Sequence, residues 1–202
     1  MSQTDKAPAA QGGFDVGHKS GLYIGTWTSN VADWANTSGN GQEVDIYAGV
    51  KKELGPVVLD LGYLAYIYPS NSTAVPQGTR EWYLGASYGP ITYKVSRTTG
   101  NWFGIANSSG LIYHDLSLSH SINDSVTISA HAGKQDVKAS GANDRDFNDY
   151  KLQLTYALKD NYAVGLAYVS TSGLSSDAKA GFTSNGKKLY GSGAVLSITK
   201  TF

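Results

Sequence analysis

The chain has 202 residues, with 16 basic and 16 acidic side chains, 24 glycines, 14 tyrosines and no cysteine. A formal net charge of zero argues against nucleic acid as a partner, and the lack of cysteine excludes disulfide bonds and thiolate metal sites. No segment reaches the roughly 20 apolar residues of a membrane helix. The mean hydropathy of −0.26 still fits a membrane β-barrel, because apolar residues in a barrel strand alternate with polar ones.

Alternation of apolar and polar residues recurs along the chain and predicts about eleven strands in a single domain, 1–202. The predicted strands are 12–18, 22–30, 43–53, 57–68, 80–88, 91–98, 110–120, 126–134, 147–158, 162–171 and 192–202. Short turns rich in Gly, Pro, Asn and Asp alternate with longer segments at 31–42, 69–79, 99–109, 135–146 and 172–191. This asymmetry is typical of a transmembrane antiparallel β-barrel with short periplasmic turns and long extracellular loops.

The alternation gives each strand an apolar face and a polar face. In 147–158 the apolar Tyr150, Leu152, Leu154 and Tyr156 alternate with Asp149, Lys151, Gln153 and Thr155. Because backbone groups find no water in hydrocarbon, the sheet must close on itself, with the apolar face towards lipid and the polar face towards the lumen. The last strand alternates up to the terminal Phe202, which is typical of the strand through which barrel-assembly machinery engages its substrates.

The directions of the strands predict a gap in the sheet. An eleventh strand at 192–202 would run parallel to the strand at 12–18, whereas bacterial barrels use even, antiparallel strand counts. We therefore expect a further strand before Met1, about twelve strands in the intact protein, and an open or irregular seam between 12–18 and 192–202. Because an outer-membrane protein must be exported, we also expect a signal peptide before that strand. Residues 1–10 are then a loop-like remnant.

Several segments resemble the TorF-type family of Gram-negative porins, which was formerly a conserved family of unknown function. The segments are Ser2-Gln3-Thr4-Asp5, Gln11-Gly12-Gly13-Phe14-Asp15, Glu43-Val44-Asp45-Ile46-Tyr47-Ala48-Gly49, Tyr83-Leu84-Gly85-Ala86-Ser87-Tyr88-Gly89-Pro90 and Thr199-Lys200-Thr201-Phe202. The resemblance implies a bacterial outer-membrane barrel that acts as a porin, with no catalytic residues to carry over.

The polar face of the strands supplies the candidate pore-lining residues. They are Asp15, Tyr23, Trp27, Glu43, Asp45, Tyr47, Lys51, Asp60, Tyr66, Glu81, Tyr83, Lys94, Asp115, His131, Asp149 and Lys151. The charged members would set the ion preference of a water-filled route, with a mild bias towards cations because acids outnumber bases. Alternatively the charges pair and fill the interior, and the tyrosines either form a track for a solute or occupy space.

Outward aromatic residues near strand ends predict girdles at the level of the lipid headgroups. They are Tyr63, Trp82, Tyr88, Tyr156, Tyr162, Tyr168 and Phe202. On the loop at 99–109, Trp102 and Phe103 either contact a ligand or lipopolysaccharide, or fold inward as a constriction.

The leading hypothesis is an integral outer-membrane porin for passive diffusion of small polar solutes or ions, with no cofactor and no metal site. Its partners would be outer-membrane lipid and lipopolysaccharide. One alternative is a non-conducting structural or adhesive barrel with a filled lumen. A less favoured one is a membrane enzyme, in which His131 and Asp115 or Asp149 would activate Ser117 or Ser129 in a triad-like site.

Overall fold

The computed structural model describes residues 2–32, 41–69, 78–137, 145–184 and 186–202, and within these eleven long strands form one antiparallel sheet. The long strands are β1 (Gln11–Gly17), β2 (Leu22–Asn30), β3 (Gln42–Leu54), β4 (Val57–Ile67), β5 (Thr79–Tyr88), β6 (Ile91–Thr98), β7 (Ile112–Ser121), β8 (Val126–Asp136), β9 (Phe147–Ala157), β10 (Tyr162–Ser172) and β13 (Gly193–Lys200). The connection between β10 and β13 holds a short helix, α1 (Ser176–Gly181), and the two-residue strands β11 (Thr183–Ser184) and β12 (Lys187–Lys188). The predicted strands are confirmed, with ends that differ by no more than two residues.

Each long strand pairs with the next long strand along the chain, so β10 pairs with β13, and the connections alternate in length as predicted. Gly55 and Gly89 take positive φ values of 62° and 54° in two of the tight turns, a conformation that costs glycine little. In another turn the Asn123 side chain accepts the N–H groups of Ser125 and Val126 at 2.9 Å. We call this side the turn end and the opposite side the loop end; parts of the predicted loops 31–42, 69–79 and 135–146 lie outside the described residues.

In the part of the chain that the structure describes, the N-terminal segment connects the two edges of the sheet. Within the described residues, β1 pairs with β2 alone and β13 with β10 alone. The Ser2 N–H donates to Leu189 O at 2.8 Å, and Gln3 O accepts the Ala32 N–H at 2.7 Å. Residues 2 and 3 therefore join the two sides of this seam at the loop end, and a further strand in the seam stays a prediction.

The large apolar side chains lie on the outside of the sheet. Leu152 is 53 % exposed, and Leu196 and Ile198 on β13 are 71 % and 74 % exposed. Buried apolar residues are few, and several of them, such as Phe182 and Leu189, lie in the loops. A soluble protein would bury these strand residues, so the exterior is that of a transmembrane β-barrel.

Among the described residues, no helix is long and apolar enough to span a membrane.

A charge on the outer face should destabilise the barrel far more than the same charge on the inner face. We expect Leu152→Arg to lower the free energy of unfolding in lipid vesicles by about 2–4 kcal/mol, because it places a cation near the bilayer midplane. The control is Gln153→Arg, on the inner face of the same strand. Denaturant titrations in vesicles measure both, and equal effects would contradict the assignment of the faces.

Candidate functional site in the barrel interior

Tyrosine rings on the inner face lie over glycines of the neighbouring strands. Tyr23 is directly opposite Gly49, Tyr83 is directly opposite Gly62, and the two glycines oppose each other. A Cβ atom on either glycine would overlap the hydroxyl end of the facing tyrosine. The two tyrosine hydroxyls meet, and Tyr23 also donates to Asp60 at 2.6 Å. Because the two glycines have no side chains, the rings of Tyr23 and Tyr83 can lie across the inner face of β2 to β5.

The loop-end half of this interior is acidic. Glu43 is 5 % exposed and accepts from the Tyr68 hydroxyl and, at 3.4 Å, from the Gln3 amide. Glu81 is 9 % exposed and accepts from the Tyr66 hydroxyl at 3.0 Å. Asp45 lies directly opposite Tyr66 on the next strand. Tyrosine hydroxyls therefore donate to the buried carboxylates of Glu43 and Glu81, whereas Asp45 Oδ1 has no hydrogen-bond partner among the described residues.

The turn-end half contains a cavity of about 650 Å³. Its lining includes Asp15, His18, Tyr23, Tyr47, Lys51, Asp60, Tyr83 and Lys94. The Lys51 ammonium lies 5.1 Å from the Tyr23 ring centroid, and that of Lys94 lies 5.6 Å from the Tyr83 centroid. Tyr47 donates to Asp15 at 2.8 Å. The cavity therefore places two cations and two carboxylates among tyrosine rings.

On the wall formed by β7 to β9, His131 lies between two carboxylates. Its Nε2 is 2.7 Å from Asp149 Oδ1 and its Nδ1 is 3.3 Å from Asp115 Oδ1. Ser117 Oγ is 3.4 Å from Nδ1 but donates to Asp115 at 2.6 Å, and Tyr113 donates to Asp149 at 2.9 Å. The groups of the predicted triad-like site do come together. Because both ring nitrogens face carboxylates and the serine proton goes to Asp115, this is the geometry of an ion cluster rather than of a base that activates Ser117.

Aromatic side chains cross the loop end of the barrel. We call this set the aromatic bridge; its members are Tyr66, Tyr68, Phe103, Trp102, Phe182 and Phe147. Phe103 lies 5.5 and 6.0 Å from the rings of Tyr66 and Tyr68 on the β4 side. Trp102 contacts Phe103 at 5.1 Å and Phe182 at 6.4 Å, and Phe182 contacts Phe147 on β9 at 6.1 Å. Since β4 and β9 are five strands apart in the sheet and form opposite walls of the barrel, these edge-to-face contacts span the opening of the barrel at the loop end.

The bridge depends on an unusual backbone conformation at Phe103. Its φ is 45°, which a bulky residue adopts only at a cost of about 1–2 kcal/mol. The Phe103 N–H donates to Thr79 Oγ1 at 2.8 Å, and the Trp102 N–H donates to Ser108 Oγ at 2.7 Å. The sequence left open whether Trp102 and Phe103 point outward to a ligand or fold inward; in the structure both rings fold inward across the loop end.

The predicted pore-lining residues therefore fall into three groups. Asp15, Tyr23, Tyr47, Lys51, Asp60, Tyr83 and Lys94 surround the cavity, Glu43, Asp45, Tyr66 and Glu81 form the acidic half, and Asp115, His131 and Asp149 form the ion cluster. Two residues stand apart: Trp27 is 42 % exposed beside edge strand β1, and Lys151 lies opposite His131. Whether these residues line a conducting pore stays a prediction.

The predicted girdle residues of the strands occupy the outer face. Tyr88, Tyr156 and Tyr162 lie at strand ends as predicted, whereas Tyr63, Trp82 and Tyr168 lie further inside their strands, and Phe202 follows the end of β13. Trp82, Tyr88, Tyr156, Tyr162, Tyr168 and Phe202 are all at least 45 % exposed, and Tyr63 packs edge-to-face against Trp82 at 4.9 Å. Their contact with lipid headgroups stays a prediction. The sequence predictions missed Phe147 and Phe182. The parity of β9 carries a signal for Phe147, which shares a face with Asp149, whereas nothing local indicates Phe182.

Comparison with known proteins places this architecture in a family. The model of a family described as bacterial protein of unknown function (Gcw_chp) matches residues 1–202. The chain belongs to this family.

Among solved structures, the chain is similar to one titled "NanC porin structure in rhombohedral crystal form". The TM-score is 0.67 at 10 % sequence identity, over 96 % of this chain and 93 % of that chain. Likeness at this identity establishes a porin-like barrel fold for this member of the family. A comparison with curated proteins gives no match.

Adding one methyl group under a tyrosine should disturb this interior. We expect Gly62→Ala to lower the free energy of unfolding by about 1–3 kcal/mol, because the Cβ displaces Tyr83 from its place over the strand. Gly12→Ala is the matched control, since a Cβ there meets nothing within 4 Å. Tryptophan fluorescence during denaturant titration measures both variants; equal midpoints would show that Tyr83 does not depend on Gly62.

Proposed function

We propose that this protein is an outer-membrane porin, a passive diffusion channel for small polar solutes or ions. The observation that carries the proposal is the contrast between the two faces of the sheet. The outer face is apolar, while the inner face holds carboxylates, lysines and tyrosines around a cavity of about 650 Å³. A route of this kind needs no cofactor, since hydrogen bonds and charges along its wall replace the hydration shell of the solute.

The aromatic bridge supports a second candidate, a structural or adhesive barrel that does not conduct. In this conformation six aromatic rings cross the loop end, and Phe182 is only 3 % exposed. Apolar constrictions block ions by excluding water. The channel proposal therefore requires that the bridge opens, by movement of the segments that carry Trp102, Phe103 and Phe182.

The proposal extends to the family and to the partners. We propose that the chain corresponds to the TorF-type porins that its motifs resemble, and that it lies in the bacterial outer membrane. Its partners are then outer-membrane lipid and lipopolysaccharide along the apolar face, and the barrel-assembly machinery at β13. The support is the row of exposed apolar residues on β13, where Leu196 and Ile198 are among the most exposed side chains.

Conductance across planar lipid bilayers tests the channel proposal. We expect discrete current steps after the purified protein is added, and none after addition of protein denatured by heating. A folded, inserted protein that gives no steps above leak would favour the non-conducting barrel.

Removing the centre of the aromatic bridge should open the route. We expect the double variant Trp102→Ala/Phe103→Ala to raise the single-channel conductance by roughly twofold or more, because it removes an apolar constriction. Trp82→Ala is the control, since Trp82 is an aromatic residue of the outer face. An unchanged conductance in the double variant would mean that the bridge does not limit flow.

A further inference from the structure

We propose that Lys51 and Lys94 form a binding subsite for small hydroxylated organic carboxylates in the cavity at the turn end. The proposal deepens the proposed channel function, on which it rests for its biological purpose, by naming the class of solute. As a statement about binding it can be tested without any current.

The first support is the state of the two ammonium groups. Within the described residues, Lys51 and Lys94 form no ion pair with a carboxylate, although each is a lining residue of the cavity. Each instead lies over a tyrosine face, at 5.1 Å and 5.6 Å from the ring centroids. A cation held over an aromatic ring keeps N–H donors for another partner.

The second support is the state of the neighbouring carboxylates. Asp60 lies directly opposite Lys51 on the next strand but accepts the Tyr23 hydroxyl. Asp115 lies directly opposite Lys94 but accepts Ser117 and pairs with His131. The acids that register places beside the two lysines are thus engaged elsewhere, and an incoming carboxylate would meet ammonium groups with unused donors.

The remaining lining fits the rest of such a ligand. Asp60 and Asp15 each accept a tyrosine hydroxyl through Oδ1, from Tyr23 and Tyr47 respectively, and the second oxygen of each carboxylate is an acceptor for a ligand hydroxyl group. A volume of about 650 Å³ lies within the usual range for small-molecule sites. The lining holds equal numbers of lysines and aspartates, so a carboxylate that also carries hydroxyl groups matches it better than a bare anion.

Saturation-transfer-difference NMR on the folded protein in detergent micelles tests the proposal, with gluconate as the probe. Its reduced form glucitol has the same carbon chain and lacks the charge. We expect saturable gluconate binding, weakened about fivefold for each lysine removed, as loss of about 1 kcal/mol of Coulombic contact in a wet site implies. Glucitol should bind the unmodified protein weakly, with an affinity no higher than that of gluconate for the double variant Lys51→Gln/Lys94→Gln.

Three control variants separate the subsite from general effects of charge and folding. Lys52→Gln removes the adjacent lysine of the outer face, and Lys151→Gln removes an inner-face lysine outside the cavity; both should bind gluconate as the unmodified protein does. Lys51→Arg/Lys94→Arg keeps the charges and should retain binding. Circular dichroism and heat-modifiable electrophoretic mobility verify that every variant is folded.

The proposal is overturned if gluconate does not bind the unmodified protein, if glucitol binds equally well, or if Lys51→Gln/Lys94→Gln binds gluconate as Lys52→Gln does. Bilayer recordings of the same preparations keep the two proposals apart. Gluconate binding without current steps would support the subsite proposal and contradict the channel proposal. Current steps without gluconate binding would support the channel proposal and contradict the subsite proposal.

Discussion

Inside a hydrocarbon layer a peptide N–H or C=O group can bond only to other peptide groups, and an unpaired group costs several kcal/mol. Sequential antiparallel pairing of the long strands satisfies this requirement for nearly the whole sheet, and each strand pairs in register with its neighbours in the chain. The same ladder has a period of two residues, so each strand must present one row of side chains to each face. The contrast between an apolar exterior and a polar interior follows from that division. The exceptions are the outer edges of β1 and β13; among the described residues, Ser2, Gln3 and Asp5 connect the two sides through bonds to the loops beside them.

Because backbone pairing fixes the width of the barrel, the interior must be filled by side chains or by water. Two arrangements coexist in this protein. Between β2 and β5, glycines without side chains make room for Tyr23 and Tyr83, whose rings cross the wall and leave a cavity below them. On the wall formed by β7 to β9, His131 and its two aspartates pack against one another. The interior therefore combines a packed cluster, as in small barrels with a filled interior, with a cavity, as in wider barrels.

The strands and their faces could be predicted because alternation is a local property: a few residues of 147–158 already determine which side chains share a face. Strand register then places Lys51 beside Asp60. The alternation also places Asp115, His131 and Asp149 on the inner face of neighbouring strands, so their contact could be predicted as well. Contacts between segments that are remote in the sequence could not be predicted. Phe182 reaches Trp102 from a loop some 80 residues further along the chain, and loops have no period that fixes where they fold. Nor could parity foresee that Asp60 accepts a tyrosine hydroxyl instead of pairing with Lys51.

This last point changes how the lumen charges should be counted. The excess of acids over bases suggests a mild preference for cations, but a count treats the lumen as one compartment. Along β3 the acidic Glu43 and Asp45 lie at the loop end and Lys51 at the turn end, and six residues of extended strand separate Asp45 from Lys51 by about 20 Å. That distance is about two and a half times the screening length of about 8 Å at physiological salt. In the proposed channel, a permeating ion would meet an acidic zone and a zone with lysines in series, so the order of the charges along the axis, rather than their sum, would set the ion preference.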